Sequence, residues 1–262
     1  MAVLLKSQKE IDKLRAAGRL VAETFEVLRP YVKPGVSTAE LDKIAEDYIR
    51  GKGATPIYKG YGAHPGGHGR PAVPPFPGTI CASVNEVICH GIPSSKKILQ
   101  DGDIIGVDIG VVLNGWVGDS CMTYPVGAID EKSQKLVDVA KRCLELGIEQ
   151  ARPGKRLGDI GAAIQTYAEG NGFSVVRDLV GHGVGRSLHE DPGVAHFGRP
   201  NTGMKILKGM VFTIEPMINV GAYETKTLAD QWTITTADGS RSAQFEHSLA
   251  VTDGAPELLT VL

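Results

Sequence analysis

The sequence predicts an α+β fold made of two matching halves, approximately residues 10–125 and 135–252, related by a pseudo-two-fold axis. Three observations carry that expectation. An amphipathic helix pattern recurs at a fixed offset, a buried strand bearing a carboxylate follows it in each half, and the composition is that of an ordinary globular chain.

A helix starting near Ser7, where Ser-Gln-Lys-Glu reads as a capping box, leads in the chain of 262 residues. Leu41, Ile44, Ala45, Tyr48 and Ile49 then fall at i, i+3, i+4, i+7 and i+8, the signature of a helix with one apolar face. Ile160, Ala163, Ile164, Tyr167 and Ala168 repeat the pattern, with Ile160 lying 119 positions after Leu41. The flanks keep that offset: Pro34-Gly35 becomes Pro153-Gly154, while Gly51 and Gly53 become Gly170 and Gly172. Each helix is thus entered by a Pro-Gly turn and left at Gly-x-Gly, where glycine suits a left-handed cap. Further on, the run from Gly102 to Asp108 matches the run from Gly209 to Glu215, each a buried strand expected to end in its carboxylate. Hairpin signals follow, Asn114-Gly115 and Asp238-Gly239, each leading to a strand with a second acid, Asp119 or Glu246. Residues 61–78 are too rich in glycine and proline for helix or strand and read as a long loop.

Composition excludes several classes. A formal net charge of -2 argues against a dedicated nucleic-acid binder. No apolar run approaches the roughly 18 residues of a bilayer span, and the N-terminal apolar stretch is too short for a signal peptide. Cys81, Cys89, Cys121 and Cys143 show no CxxC spacing and read as reduced thiols of a cytoplasmic protein.

The candidate chemistry lies in the four acids. Asp108 follows Ile-Ile-Gly-Val and Glu215 follows Val-Phe-Thr-Ile, settings where an unpaired carboxylate costs several kcal/mol. No lysine or arginine stands close in sequence to Asp108, Asp119 or Glu215, whereas Arg241 precedes Glu246 closely enough to leave a local ion pair open. A single acid of this kind reads most simply as a turn cap. Four in repeat-matched places point instead to divalent metal, and His182 in Gly-His-Gly-Val-Gly-Arg adds one nitrogen donor. Such an oxygen-rich set suits Mn, Fe, Co or Zn.

Six segments, VICHGIP (87–93), GDIIGVDIG (102–110), GWVGDSCMTY (115–124), GHGVGRSLHEDP (181–192), FTIEPM (212–217) and SAQFEHS (242–248), resemble the signatures of type I methionine aminopeptidases, in family order. The resemblance runs over nearly the whole chain. It implies the pita-bread fold, with antiparallel sheet inside and helices outside, as a single catalytic domain over 1–262. It further implies two divalent ions: Asp119 and Glu246 bridging them, Asp108 on one, and His182 with Glu215 on the other. A hydroxide bridging the ions would attack the carbonyl of an N-terminal methionine, preferably where the second residue is small. Glu215 would relay the proton, His189 would steady the oxyanion and His90 would contact the scissile amide nitrogen. Cys81 and Trp232 match the walls of the methionine pocket, and Asn85, Val87 and Ser242 match a monovalent-cation site. The expected substrates are N-termini of nascent polypeptides at the ribosome, with no direct nucleic-acid contact and no membrane, and the expected state is a monomer. Met1-Ala2 itself offers a small second residue.

Three positions depart from the family pattern. Leu188 stands where many relatives carry phenylalanine, Gly110 where threonine is common, and the loop before Phe76 lacks the usual Gly-Tyr-x-Gly-Tyr-Pro run, leaving Tyr61 and Phe76 as candidate aromatic walls. His64, His68, His196 and His247 read as loop or core histidines. Two rivals share features of the site. A prolidase-type enzyme would keep all five ligands but usually carries a large N-terminal domain, and a metal-free binding scaffold would have lost ligands that are all present here.

Overall fold

The computed structural model describes residues 3–66 and 72–262; Met1, Ala2 and the segment 67–71, with His68, lie outside the described residues. Four helices run over Gln8–Leu28 (α1), Thr38–Gly51 (α2), Glu131–Gln150 (α3) and Leu157–Gly170 (α4). The bounds of α2 and α4 differ by 119 positions at both ends, so the repeat read from side-chain spacing is a repeat of structure. Its glycines adopt the conformations the pattern demands: φ is 87° at Gly35 and 91° at Gly154, 74° at Gly53 and 84° at Gly172, and 91° at Gly102 and 86° at Gly209. The N-termini match as well. The backbone N–H of Ser37 donates to Glu40 Oε2 at 2.8 Å, and that of Arg156 to Asp159 Oδ2 at 2.7 Å. Ser7 caps α1 in the same way, donating from its N–H to Glu10.

All named strand pairs are antiparallel. The first half is dominated by a hairpin of two ten-residue strands, Ile104–Leu113 and Trp116–Pro125, turned at Asn114-Gly115. Ile80–Val84 and Thr55–Pro56 flank Ile104–Leu113. In the second half, Val211–Ile214 lies between His247–Ala250 and Gly181–Gly183. Two sequence expectations need correction here. Asp108 does not end its strand but sits mid-strand, because the apolar Ile109, Val111 and Leu113 keep the ladder going. Asp238-Gly239 turns the chain without making a hairpin: Ile234–Thr236 pairs with Thr225–Thr227 and Val87–Cys89, while Ser242–Gln244 joins Met217–Asn219 in another sheet.

The apolar core follows the repeat. One cluster is drawn from residues 17–126 and another mainly from 136–251. A third, including Tyr58, Phe76, Cys81, Trp116, Val184 and Leu188, joins the halves. Helix α1 lies against Trp116–Pro125 so closely that a Cβ on Gly118 would stand 2.5 Å from the carbonyl carbon and oxygen of Ala17. Backbone cannot retreat as a side chain can, so Gly118→Ala is expected to destabilise by about 1–3 kcal/mol, read as a lowered Tm with unchanged far-UV circular dichroism.

Candidate active site

The hydroxyls and amides of two segments stitch the halves together. Ser120 Oγ donates to the Glu246 carbonyl at 2.5 Å, and Ser248 Oγ donates to the Asp119 carbonyl at 2.7 Å. The Glu246 N–H donates to the Cys121 carbonyl at 2.8 Å. These reciprocal bonds bring Asp119 and Glu246, one from each half, side by side. Mid-strand Asp108 comes alongside because Gly110 pairs with Asp119 across the hairpin. The second-half acids are held differently: Glu215 and Glu246 lie in the breaks after Val211–Ile214 and Ser242–Gln244, where the chain passes between sheets.

All nine expected site residues line one cavity of about 210 Å³: Asp108, Asp119, His182, Glu215, Glu246, His90, His189, Cys81 and Trp232. Asp119, His182 and Glu246 offer ligand atoms within 4.8 Å of one another. His182 Nε2 stands 3.6 Å from Asp119 Oδ2 and 3.5 Å from Glu215 Oε1. Its other ring nitrogen, Nδ1, is 3.1 Å from the Gly183 carbonyl, which requires the proton on Nδ1 and leaves the Nε2 lone pair facing the acids. Glu215 accepts from Thr213 Oγ1 at 2.8 Å and from Gln244 Nε2 at 3.3 Å.

Charge balance shows that this donor set fits divalent metal. Among the described residues no lysine or arginine pairs with any of the four acids; Arg241, the candidate partner of Glu246, reaches Asp130 at 2.9 Å instead. Burial, then the repulsion of Asp119, pushes the Asp108 carboxyl well above the usual range. Burial does the same to Glu246 and, against the hydrogen bond from Thr213, to Glu215, with the neighbouring acids adding to both shifts. Asp119 is pushed up to about 6 by burial, less than the others because Tyr58 and His189 favour its charged form. Four carboxyls whose protonated form burial favours are a site that cations would ionise.

The histidines divide by environment. Burial, followed by the nearness of His189, lowers His90 to about 4, and its φ of 55° puts a non-glycine residue in the left-handed region. His189 stands at the rim, its Nδ1 2.6 Å from the Tyr61 hydroxyl and its ring 4.3 Å from that of His182. His196 is a core histidine, as expected, but its buried Nε2 accepts the Glu215 N–H at 3.0 Å and so fixes the backbone of a candidate ligand. Sequence spacing gave no hint of Tyr58, Gln244 or His196. Thr213 alone was findable, in the strand Val211–Ile214 and two residues before Glu215, a spacing that returns a side chain to the same side of an extended chain.

The cavity's other apolar walls include Phe76, Cys89, Leu179, Val180, Leu188 and Met217. The described parts of the long loop, on either side of 67–71, are tied to each other. Its two arms bond across at His64 and Val73, and at Gly60, Tyr61 and Phe76. Trp232 anchors it, donating from Nε1 to the Pro74 carbonyl at 2.8 Å and meeting Phe76 edge-on. Asn85 and Ser242 of the expected monovalent site do meet, the Ser242 N–H donating to the Asn85 carbonyl at 2.9 Å, while Val87 pairs with Thr235. The four cysteines are buried and free. No helix among the described residues is long and apolar enough to cross a membrane.

Fold and acid cluster together define a metal-dependent peptidase, and the chain belongs to metallopeptidase family M24, whose description matches residues 12–253. It is 50% identical to methionine aminopeptidase 1 of Bacillus subtilis over 258 residues, 98% of this chain and 99% of the relative. The crystal structure of methionine aminopeptidase from Rickettsia prowazekii superposes with a TM-score of 0.93 at 43% identity, covering 99% and 100% of the two chains. Within the family the chain therefore stands with the methionine aminopeptidases. An Xaa-Pro dipeptidase from Bacillus anthracis shares the fold at a TM-score of 0.75 and 23% identity, over 98% of this chain and 62% of that one.

Proposed function

We propose that the chain, acting as one catalytic domain, removes the N-terminal methionine of polypeptides, preferably where the second residue is small. The observation that carries this is the cavity itself, which brings four acids and a correctly oriented imidazole together with sulfur, aliphatic and aromatic walls suited to a thioether. Asp108, Asp119, His182, Glu215 and Glu246 would hold two divalent ions, with Co, Mn, Fe and Zn all compatible with the donors. When bound, such ions acidify a water and polarise the scissile carbonyl. Glu215 accepts the proton of the attacking water and delivers it to the leaving amine. The role asked of His189 is met by the tautomer in which Nδ1 accepts from the Tyr61 hydroxyl, 2.6 Å away, and the Nε2 proton is free to donate to the carbonyl oxygen as charge develops there. His90, kept neutral by burial, faces the same cavity and is the candidate contact for the scissile amide. A monovalent cation at Asn85, Val87 and Ser242, nascent chains at the ribosome as substrates, and a cytoplasmic monomer complete the proposal.

The test is an assay of metal-depleted protein with Co²⁺ or Mn²⁺ restored, on peptides beginning Met-Ala, Ala-Ala and Ala-Pro. Metal-dependent release from the Met-Ala peptide alone supports the proposal. Cleavage at Ala-Pro would move the chain to the prolidase side, and no cleavage with any metal would leave a binding scaffold. His189→Ala is expected to lower kcat about 10²–10³-fold, measured on the Met-Ala peptide at saturating metal.

A further inference from the structure

Tyr58 belongs to none of the segments that carry the family resemblance, yet it reaches the centre of the acid cluster. Its hydroxyl lies 2.6 Å from Asp108 Oδ1 and 2.5 Å from Asp119 Oδ1. The ring is buried and lines the same cavity. It gets there because Thr55–Pro56 pairs with Val111 and Val112, and the N–H of Ile57 donates to the Gly110 carbonyl at 3.0 Å, laying residues 55–58 alongside Gly110. A Cβ at Gly110 would stand 2.9 Å from Cε1 and Cζ of the Tyr58 ring and 2.5 Å from Ile57 Cγ2. The glycine that departs from the common threonine is thus the space the phenol ring uses. Ring and glycine are one feature.

We infer that Tyr58 is a positioning residue for the metal-ligand acids, its hydroxyl fixing Oδ1 of Asp108 and Oδ1 of Asp119 relative to each other across the space that Gly110 leaves open. The inference rests on the proposal that these two acids hold metal. A phenol O–H carries one proton, so it donates to one of the two acids and accepts from the other while that carboxyl keeps its own proton, a hold on both that adds no charge. With Oδ1 of Asp119 held by Tyr58, its Oδ2 is turned towards His182 Nε2. Ligands whose orientation is fixed before the ion arrives lose less freedom on binding it, and partners that hold ligands in this way are worth about 10–100-fold in metal affinity.

The experiment is calorimetric titration of Co²⁺ into metal-stripped wild type, Tyr58→Phe and Gly110→Ala, with the visible spectrum of bound Co²⁺ recorded for each. Phenylalanine keeps the ring and its packing, and far-UV circular dichroism checks the fold. Tyr58→Phe is expected to weaken Co²⁺ binding about 10–100-fold and to alter the Co²⁺ spectrum. KM for a Met-Ala peptide should be unchanged at saturating metal, which a merely structural defect would not arrange. Gly110→Ala should reproduce the loss by displacing the ring, and the double variant should lose no more than either single one. Wild-type affinity and spectrum in Tyr58→Phe would overturn the inference. So would a phenolate charge-transfer band in the Fe³⁺-loaded wild type, which would make Tyr58 a ligand. If wild type itself takes up no divalent ion, the metal assignment fails first and the role of Tyr58 falls with it.

Discussion

Glu215→Ala is expected to lower kcat/KM on a Met-Ala peptide by about 10²–10⁴-fold, the range over which a positioned proton-transfer group contributes. On the roles proposed for Glu215, two functions are lost at once, a donor to the metals and the proton relay. Glu215→Gln separates them. The amide keeps the length of the side chain and can still meet Thr213 and Gln244, the two groups that hold the carboxylate. It cannot carry the proton. Turnover should therefore stay close to that of the alanine variant even when calorimetry shows metal bound. A glutamine variant with near-native turnover would remove Glu215 from the relay and leave it as a ligand alone.

Metal removal gives the second large effect, and its sign depends on pH. Asp119 is raised to about 6 from an ordinary value near 3.8, chiefly by burial. A carboxyl shifted upward adds stability that is complete below its unfolded pKa and is lost as pH rises through its folded one, so stripped protein loses the Asp119 contribution as pH rises from about 4 through 6. Asp108, Glu215 and Glu246 are shifted the same way and extend the loss to higher pH. Divalent ions bind the ionised acids, so the Tm difference between loaded and stripped protein should be small at pH 5 and widen through pH 6 to 8. At a free ion concentration 1,000 times Kd, one site adds about 4 kcal/mol, roughly 8–16 °C in Tm for a chain of this size. Buried neutral histidines outside the ligand set, such as His196 and His247, tilt both forms together as pH falls and drop out of that difference, whereas His182, as a ligand, narrows the gap further at low pH. A gap independent of pH would mean that the ions bind elsewhere.

The sequence made the periodic parts of the molecule legible. Leu41 and Ile160 mark the same place on α2 and α4, and Asp108 and Glu215 answer each other six residues after Gly102 and Gly209. What spacing could not convey was anything decided by pairing between distant segments. Asp108 was expected to end its strand by its match to Glu215, but the ladder to Trp116–Pro125 carries the strand through. Tyr58 and His196 reach the acids across contacts 50 and 19 residues away in sequence, and no local pattern encodes such a reach. Residues 61–78 hold no helix or named strand among those described, as their glycines and prolines predict; what spacing could not convey is that Trp232, far along the chain, donates to the Pro74 carbonyl and so anchors one arm.

The depth gradient of the cavity has a consequence for what can be processed, and when. Asp119 and Glu246 are only 3% exposed, whereas Tyr61 and Val180 at the rim are 37% and 42% exposed. A substrate must thread its first residue past the rim, in extended form, to bring its carbonyl to the acids. A terminus already tucked into its own protein cannot do this without first coming loose. Removal of the first residue is then a race against the substrate's folding, and proteins that bury their starting residue early will keep it whatever residue stands second.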